Sequence, residues 1–156
     1  MMTPHDLSSE TPALPALGIL ATLGGPERAE LAAHGRFLDH HKGNKLVEQG
    51  QPQGYLHLLL EGELRVVAAT EGLLLTLGYV HPGECVGEMA LLEPVKSAFA
   101  NVIAQSAVKV WAIQRDDFDQ FLKRNPEAGA KMLREIAVLI SQRLRRMTEH
   151  AARAEQ

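Results

Sequence analysis

Residues 81–92 read HPGECVGEMALL and contain the pattern on which the fold assignment depends. The segment opens with a His-Pro-Gly turn and runs to Gly87, whose missing side chain lets the backbone approach a ligand closely. The residues after Gly87 are able to form one helical turn whose free N–H groups favour an anion. Glu88 adds a carboxylate, which accepts a hydrogen bond from a sugar hydroxyl. Taken alone, the segment fits either such a binding turn or an ordinary turn that ends a strand.

The sequence around this segment predicts an antiparallel β-structure. Between Arg36 and Ile113, short apolar runs are separated by turn residues, at 43–44, 50–52, 61–62, 71–72 and 81–83. Turns at such spacing are typical of an antiparallel barrel or sandwich, and the lack of a helical period between the runs argues against a parallel sheet. The clearest predicted strands cover 55–60, 63–69, 73–80 and 107–113.

Helices are predicted at both ends of this β-region. Residues 1–14 have no periodicity and are interpreted as a flexible arm, followed by an apolar helical turn at 17–23. Gly25-Pro26 begins a short helix at about 26–34, because proline suits the first helical position. Three aspartates mark the start of a helix at about 115–124. Asn125-Pro126 begins a long helix to about 150, with 151–156 as a tail. Residues 15–150 therefore form a single domain.

The long helix carries a narrow apolar stripe. Its members are spaced 3, 4, 4 and 3 residues apart, at Leu133, Ile136, Ile140, Leu144 and Met147. Such spacing is typical of one helix lying along another. We therefore predict a homodimer formed through this helix, with the alternative that the stripe packs on the chain's own barrel. The two arrangements are compatible if the first half of the helix covers the barrel and the second half pairs with a partner.

Composition excludes several classes of protein. The 156 residues are 46% hydrophobic with a formal net charge of -3, which excludes collagen-like and fully disordered chains. No apolar run approaches the length of a membrane span, so we expect a soluble, cytoplasmic protein. The single cysteine, Cys85, cannot form an internal disulfide, and the chain lacks the cysteine set of a zinc or iron–sulfur site.

The motifs and their order resemble the cyclic nucleotide-binding domains of catabolite activator proteins and of the regulatory subunit of protein kinase A. The similar segments are GNKLVEQG at 43–50, LLLEGEL at 58–64, HPGECVGEMALL at 81–92 and VKVWAI at 108–113. The resemblance covers about residues 15–150. It implies an antiparallel, jelly-roll-like β-roll with a short N-terminal helical region and two C-terminal helices, the last long. It also implies a ligand such as cAMP or cGMP, with Glu88 holding the ribose 2′-hydroxyl in the phosphate-binding cassette.

The cassette departs from the family at its phosphate clamp, an arginine followed by serine or threonine. A gap-free comparison places Ala98 at the arginine position and Asn101 near the threonine position. A shorter loop instead aligns Lys96-Ser97-Ala98 with Arg-Ser-Ala, which supplies a point charge without the planar fork. No arginine occurs between Arg65 and Arg115. Loss of this contact is expected to weaken phosphate binding by roughly 1.5–3 kcal/mol.

Three functions remain open at this stage. The first is a regulatory module that binds a cyclic nucleotide weakly and signals through its last helix. The second is a module with the same fold that binds another small effector. The third is a ligand-free dimerisation or protein-interaction module. Ala98 and Phe99 suit an uncharged or carboxylate ligand. The candidate ligand contacts are Gly87, Glu88, Met89, Ala90, Lys96, Ser97, Ala98, Phe99 and Asn101.

Other activities have less support from the sequence. We find no Ser/His/Asp order, no Walker loop and no HExxH motif, and so expect no enzyme activity. His81 and Cys85 flank the cassette, but nothing further indicates haem, and we expect no metal. Since the chain reaches only Gln156, no helix-turn-helix DNA reader is expected after the long helix. The basic residues of that helix are a minor candidate surface for nucleic acid or an acidic partner, and they are Arg143, Arg145, Arg146 and Arg153.

Overall fold

A computed structural model describes residues 12–94 and 97–154 of the chain. The three α-helices are α1, Gly25–Ala33; α2, Arg115–Arg124; and α3, Pro126–Ala154. Two short 3-10 helices cover Gly18–Leu20 and Glu88–Leu91. The eight strands are β1, Arg36–His40; β2, Lys45–Val47; β3, Tyr55–Glu61; β4, Leu64–Thr70; β5, Leu73–Val80; β6, Cys85–Val86; β7, Asn101–Ala104; and β8, Val108–Gln114.

The strands form two four-stranded antiparallel sheets. Sheet 1 has the order β1-β8-β3-β6, and sheet 2 has the order β2-β7-β4-β5. The predicted β-roll with flanking helices is therefore confirmed. The hairpin β4–β5 turns through Glu71 and Gly72, both with positive φ, the backbone that a tight two-residue hairpin requires.

Strand β3 separates two hydrophobic cores because its side chains alternate between the faces of sheet 1. Leu56 and Leu58 pack on the helix-facing side with Trp111 and with α2 and α3. Leu59 faces the space between the sheets, where it packs with Val86, Ala98 and other small apolar side chains. The cassette thus stands where the roll interior and the helical layer meet.

The chain ends differ from the predicted boundaries. Residues 1–11 of the expected arm lie outside the described part of the chain, but Leu14, which we had included in that arm, is buried in the helix-facing core. Helix α3 continues through Ala154, past the expected end near 150 and through most of the expected tail. The helix continues past 150 because residues 151–154 are three alanines and an arginine, all of which favour helix.

The apolar stripe of α3 is divided between two environments. Ile136 is buried, and Leu133 and Ile140 pack at the edge of the helix-facing core. Leu144 and Met147 are 63% and 51% exposed. The first half of α3 therefore covers its own β-roll, while the second half presents uncovered apolar side chains. Among the described residues, no helix is both long and apolar enough to span a membrane.

Candidate ligand-binding cassette

Gly87 begins the cassette in a backbone conformation that favours glycine. Its φ is 77° and its ψ is 18°, in the left-handed region. A Cβ at this position would collide with the side-chain amide of Gln53 and with the carbonyl oxygen of Tyr55. The Gln53 amide donates a 3.2 Å hydrogen bond to that same carbonyl oxygen, so the wall beside Gly87 is fixed. Both the conformation and the close approach therefore require glycine here.

The 3-10 helix after Gly87 is held by backbone hydrogen bonds and by the burial of one of its faces. The amide of Ala90 donates to the Gly87 carbonyl at 2.9 Å, and that of Leu92 donates to the Met89 carbonyl at 3.0 Å. Ala90 and Leu91 are buried, whereas Met89 is 48% exposed. One face of this turn is thus held by the core, and the other is available to solvent.

Glu88 connects the cassette to the long helix. Its Oε1 atom lies 3.7 Å from Nη1 of Arg143 on α3, and the two side chains are 17% and 24% exposed. The Nη2 atom of Arg143 is buried and has no hydrogen-bond partner among the described residues. The acid predicted to hold a ribose hydroxyl is therefore occupied by a guanidinium from a distant element of the same chain.

Arg143 is the site residue that the sequence analysis missed, since it was grouped with the basic surface of α3. A signal for its position was present in the sequence. Arg143 lies seven residues after Ile136 and three after Ile140, so it continues the face of α3 that packs on the roll. Its contact with Glu88 was not predicted, and the interpretation of the basic residues of α3 as a surface for nucleic acid or an acidic partner stays a prediction.

The second half of the cassette is held by backbone and side-chain hydrogen bonds. Ala98 is 5% exposed and exchanges two backbone hydrogen bonds of 2.8 Å with Gly50 and Gln51. The side-chain oxygen of Asn101 accepts a 2.8 Å hydrogen bond from the amide of Gln49. Ala98 and Asn101 thus secure the loop that lies over the roll.

The remaining predicted contacts are more open or lie elsewhere. Ser97 is exposed, and Phe99 is 69% exposed. Lys96, proposed as a substitute for the arginine clamp, lies outside the described residues. The structure therefore brings Gly87, Glu88, Met89 and Ala90 together in one turn.

The roll interior beside the cassette is apolar, with one buried imidazole. Its side chains are mainly valine, leucine and alanine. His57 is 8% exposed, and burial together with the neighbouring His40 lowers the pKa of its imidazole to about 4. Burial also raises the pKa of the Cys85 thiol, which packs among the helix-facing leucines as an unreactive small group.

Comparison with known families identifies this arrangement. The family model described as the cyclic nucleotide-binding domain matches residues 38–125, from β1 to the start of α3. The chain belongs to the cyclic nucleotide-binding domain family. The match includes the complete cassette and the whole of α2, and it ends one residue before α3 begins.

Several characterised proteins contain a similar domain. Glutaminase 1 of Bradyrhizobium diazoefficiens is 33% identical over 135 residues, which cover 86% of this chain and 21% of the relative. The cAMP-activated global transcriptional regulator CRP of Escherichia coli is 30% identical over 113 residues, covering 65% of this chain and 54% of the relative. The chain thus spans about a fifth of the glutaminase and about half of the regulator.

A solved structure shares the fold of this cyclic nucleotide-binding domain. It is that of the c-di-GMP responsive global regulator CLP of Xanthomonas campestris, with a TM-score of 0.77 and 23% identity. The likeness covers 83% of this chain and 64% of that one. It confirms the β-roll with a long C-terminal helix as the architecture of the chain.

Proposed function

We propose that the chain is a regulatory module that binds a cyclic nucleotide at its cassette and transmits binding to α3. The observation that carries the proposal is the Glu88–Arg143 pair, which joins the ligand-binding turn directly to the long helix. Membership of the family supports a nucleotide as the ligand class. The name of CRP, a cAMP-activated regulator, points to cAMP as the first ligand to test, and the resemblance stated from the sequence adds cGMP.

The mechanism we propose is a competition for one carboxylate. A ribose hydroxyl of the ligand donates a hydrogen bond to Glu88, so the carboxylate must leave or share Arg143. When Glu88 and Arg143 are paired, Nη2 of Arg143 is buried without a hydrogen-bond partner among the described residues, which makes the paired arrangement less favourable than one in which every nitrogen is bonded. A ligand that binds more tightly when Glu88 and Arg143 are apart therefore favours that arrangement over the paired one. The position of α3, which carries Arg143, changes with it.

The phosphate is held weakly in this proposal. In the gap-free register, the arginine position is occupied by Ala98, which is buried and cannot reach a phosphate with a charged group. In the other register the charge comes from Lys96. We expect an affinity about ten- to hundredfold below that of a domain with the arginine fork, since charge-assisted hydrogen bonds contribute roughly 1.5–3 kcal/mol.

We propose that the signal leaves the module through the second half of α3. Leu144 and Met147 are exposed apolar side chains on one face of that segment, and pairing with the same segment of a second copy would cover them. A movement of Arg143, one residue before Leu144, changes the start of this pairing surface. The homodimer and the cytoplasmic location expected from the sequence stay predictions.

A second candidate function is the binding of a different small effector by the same roll. The observation that favours it is the apolar interior around Ala98, which suits an uncharged or carboxylate ligand better than a phosphate. A ligand-free interaction module is the third candidate. In every case we propose a module without catalysis of its own, because the match to the glutaminase covers only 21% of that enzyme.

Calorimetric titration of cAMP and cGMP into the protein tests the proposal. We expect saturable heat from at least one nucleotide, and its loss in Glu88→Ala. Glu93→Ala is the matched control, because Glu93 is an exposed glutamate just after the same turn. Absence of heat with either nucleotide at millimolar concentration refutes nucleotide binding and favours another effector or a ligand-free module.

A further inference from the structure

A surface cavity lies on sheet 1 beside Tyr55, whose carbonyl oxygen also borders Gly87 of the cassette. It has a volume of about 350 Å³ and lies where the end of α1 and the start of α2 meet the ends of β1, β3 and β8. None of the described cassette residues lines it. Its volume lies within the range of sites for small molecules.

The cavity contains a positioned cation. The guanidinium carbon of Arg36 lies 6.0 Å from the centre of the Tyr55 ring, and its Nη2 lies 3.5 Å from the Tyr55 hydroxyl. That hydroxyl also accepts a 3.1 Å hydrogen bond from the side-chain amide of Gln114. The three side chains are therefore linked, and a planar guanidinium is able to bind a carboxylate through two parallel hydrogen bonds.

An anion faces the same cavity from another element. Asp117, in the first turn of α2, is half-buried and lines the cavity. Within the described residues, neither Asp117 nor Arg36 belongs to an ion pair. The carboxyl end of α1, which carries partial negative charge, contributes Ala33 and His34 to the same wall. The wall of the cavity thus carries one cationic and one anionic side chain.

A buried polar atom lies behind the cavity. Ala112, in the cavity wall, is paired with both Arg36 and His57 in the strand register. The His57 ring lies 6.2 Å from the Tyr55 ring, and its Nδ1 atom is buried with no hydrogen-bond partner in the described part of the chain. His57 itself does not line the cavity, so an occupant meets Tyr55 and Ala112 and not the His57 ring.

We propose that this cavity binds a free α-amino acid, whose carboxylate is held by Arg36 and whose ammonium group is held by Asp117. Gln114 and Gln120 place two further carboxamides on the wall, each able to donate and to accept hydrogen bonds. A side-chain amide matches this pattern, so L-glutamine is the first probe. The site gives the module a second input, which is joined to the nucleotide cassette through Tyr55.

The test is a titration of the ¹⁵N-labelled full chain with L-glutamine, followed by nuclear magnetic resonance. We expect saturable shifts at Tyr55, Gln114 and Asp117, with an affinity in the millimolar range typical of weak ligands. N-acetyl-L-glutamine lacks the ammonium group and L-glutamine amide lacks the carboxylate. Each should bind about tenfold or more weakly, because each loses a charge-assisted contact.

Variants separate the two charged contacts. Arg36→Gln should abolish the preference for L-glutamine over its amide, and Asp117→Asn the preference over the N-acetyl form. Lys42→Gln, beyond the far end of β1, should bind as the unmodified chain does. If Arg36→Gln does not fold, Arg36→Lys, which keeps the charge without the fork, replaces it. Absence of saturable shifts, equal binding of the analogues, or shifts confined to the cassette overturns the proposal.

Discussion

Removal of the Glu88–Arg143 pair should release α3 from the cassette by a measurable amount. The changes are Glu88→Gln, which keeps the side-chain shape, Arg143→Gln, which also shortens the side chain, and the double variant; each single change removes one charge of the pair. At 3.7 Å, Coulomb attraction is about 1 kcal/mol in water and about 4 kcal/mol at an effective dielectric constant near 20. Both side chains are partly buried, so their attraction energy lies between these limits before the free-energy cost of desolvation is subtracted. We expect a coupling free energy of about 1–1.5 kcal/mol.

Urea denaturation of the four proteins measures this coupling as a double-mutant cycle. The matched control is the Glu127–Lys131 pair of the same helix, with 3.9 Å between Nζ and Oε1 and much greater exposure. That pair should give only about 0.3–0.5 kcal/mol, as exposed pairs one helical turn apart do. A coupling between Glu88 and Arg143 no larger than that of the control would refute the argument that α3 is tied to the cassette by this contact.

Three further predictions concern stability and assembly. Gly87→Ala should lower the free energy of unfolding by roughly 2–5 kcal/mol, because it combines a left-handed backbone with a steric collision of the new Cβ. Gly43→Ala should lower it by only about 1–2 kcal/mol, because Gly43 has a φ of 90° but open space around it. Chemical denaturation of the two variants compares these values. His57 has an ordinary pKa of 6.5 and a folded pKa of about 4, so the unfolded chain takes up its proton first. Stability contributed by neutral His57 should therefore be complete above pH 6.5 and fall by roughly 3 kcal/mol towards pH 4, and His57→Phe should reduce that slope in denaturation series; an unchanged slope would contradict the burial argument. Leu144→Glu should convert a dimer to a monomer in sedimentation experiments without unfolding the β-roll, and a monomeric unmodified chain would exclude the proposed pairing.

The fold could be predicted from the sequence because its signals are local. Turn residues such as Glu71-Gly72 mark the ends of strands, and Asn125-Pro126 separates two helices through the backbone limits of proline. The strand predicted at 73–80 and the helix at 115–124 have these bounds in the structure. The burial of Leu14 could not be predicted from local signals, because it depends on packing with distant elements.

The site was predicted only where a turn defines it. Gly87 and Glu88 stand in one short motif, so their placement follows from local backbone geometry. The contact between Glu88 and Arg143 joins residues 55 positions apart and depends on how α3 lies over the roll. Asn101 was assigned to a ligand, yet its side-chain oxygen accepts a hydrogen bond from the Gln49 amide, a pairing that no sequence pattern indicates.

The nucleotide affinity of Arg143→Gln, compared by calorimetry with that of the unmodified chain, tests the central claim most directly. If a ligand and Arg143 compete for Glu88, removal of the guanidinium should tighten binding by about fivefold to tenfold, the equivalent of a coupling of about 1–1.5 kcal/mol. Binding that is unchanged or weaker in Arg143→Gln would contradict the competition and the route it provides from the cassette to α3.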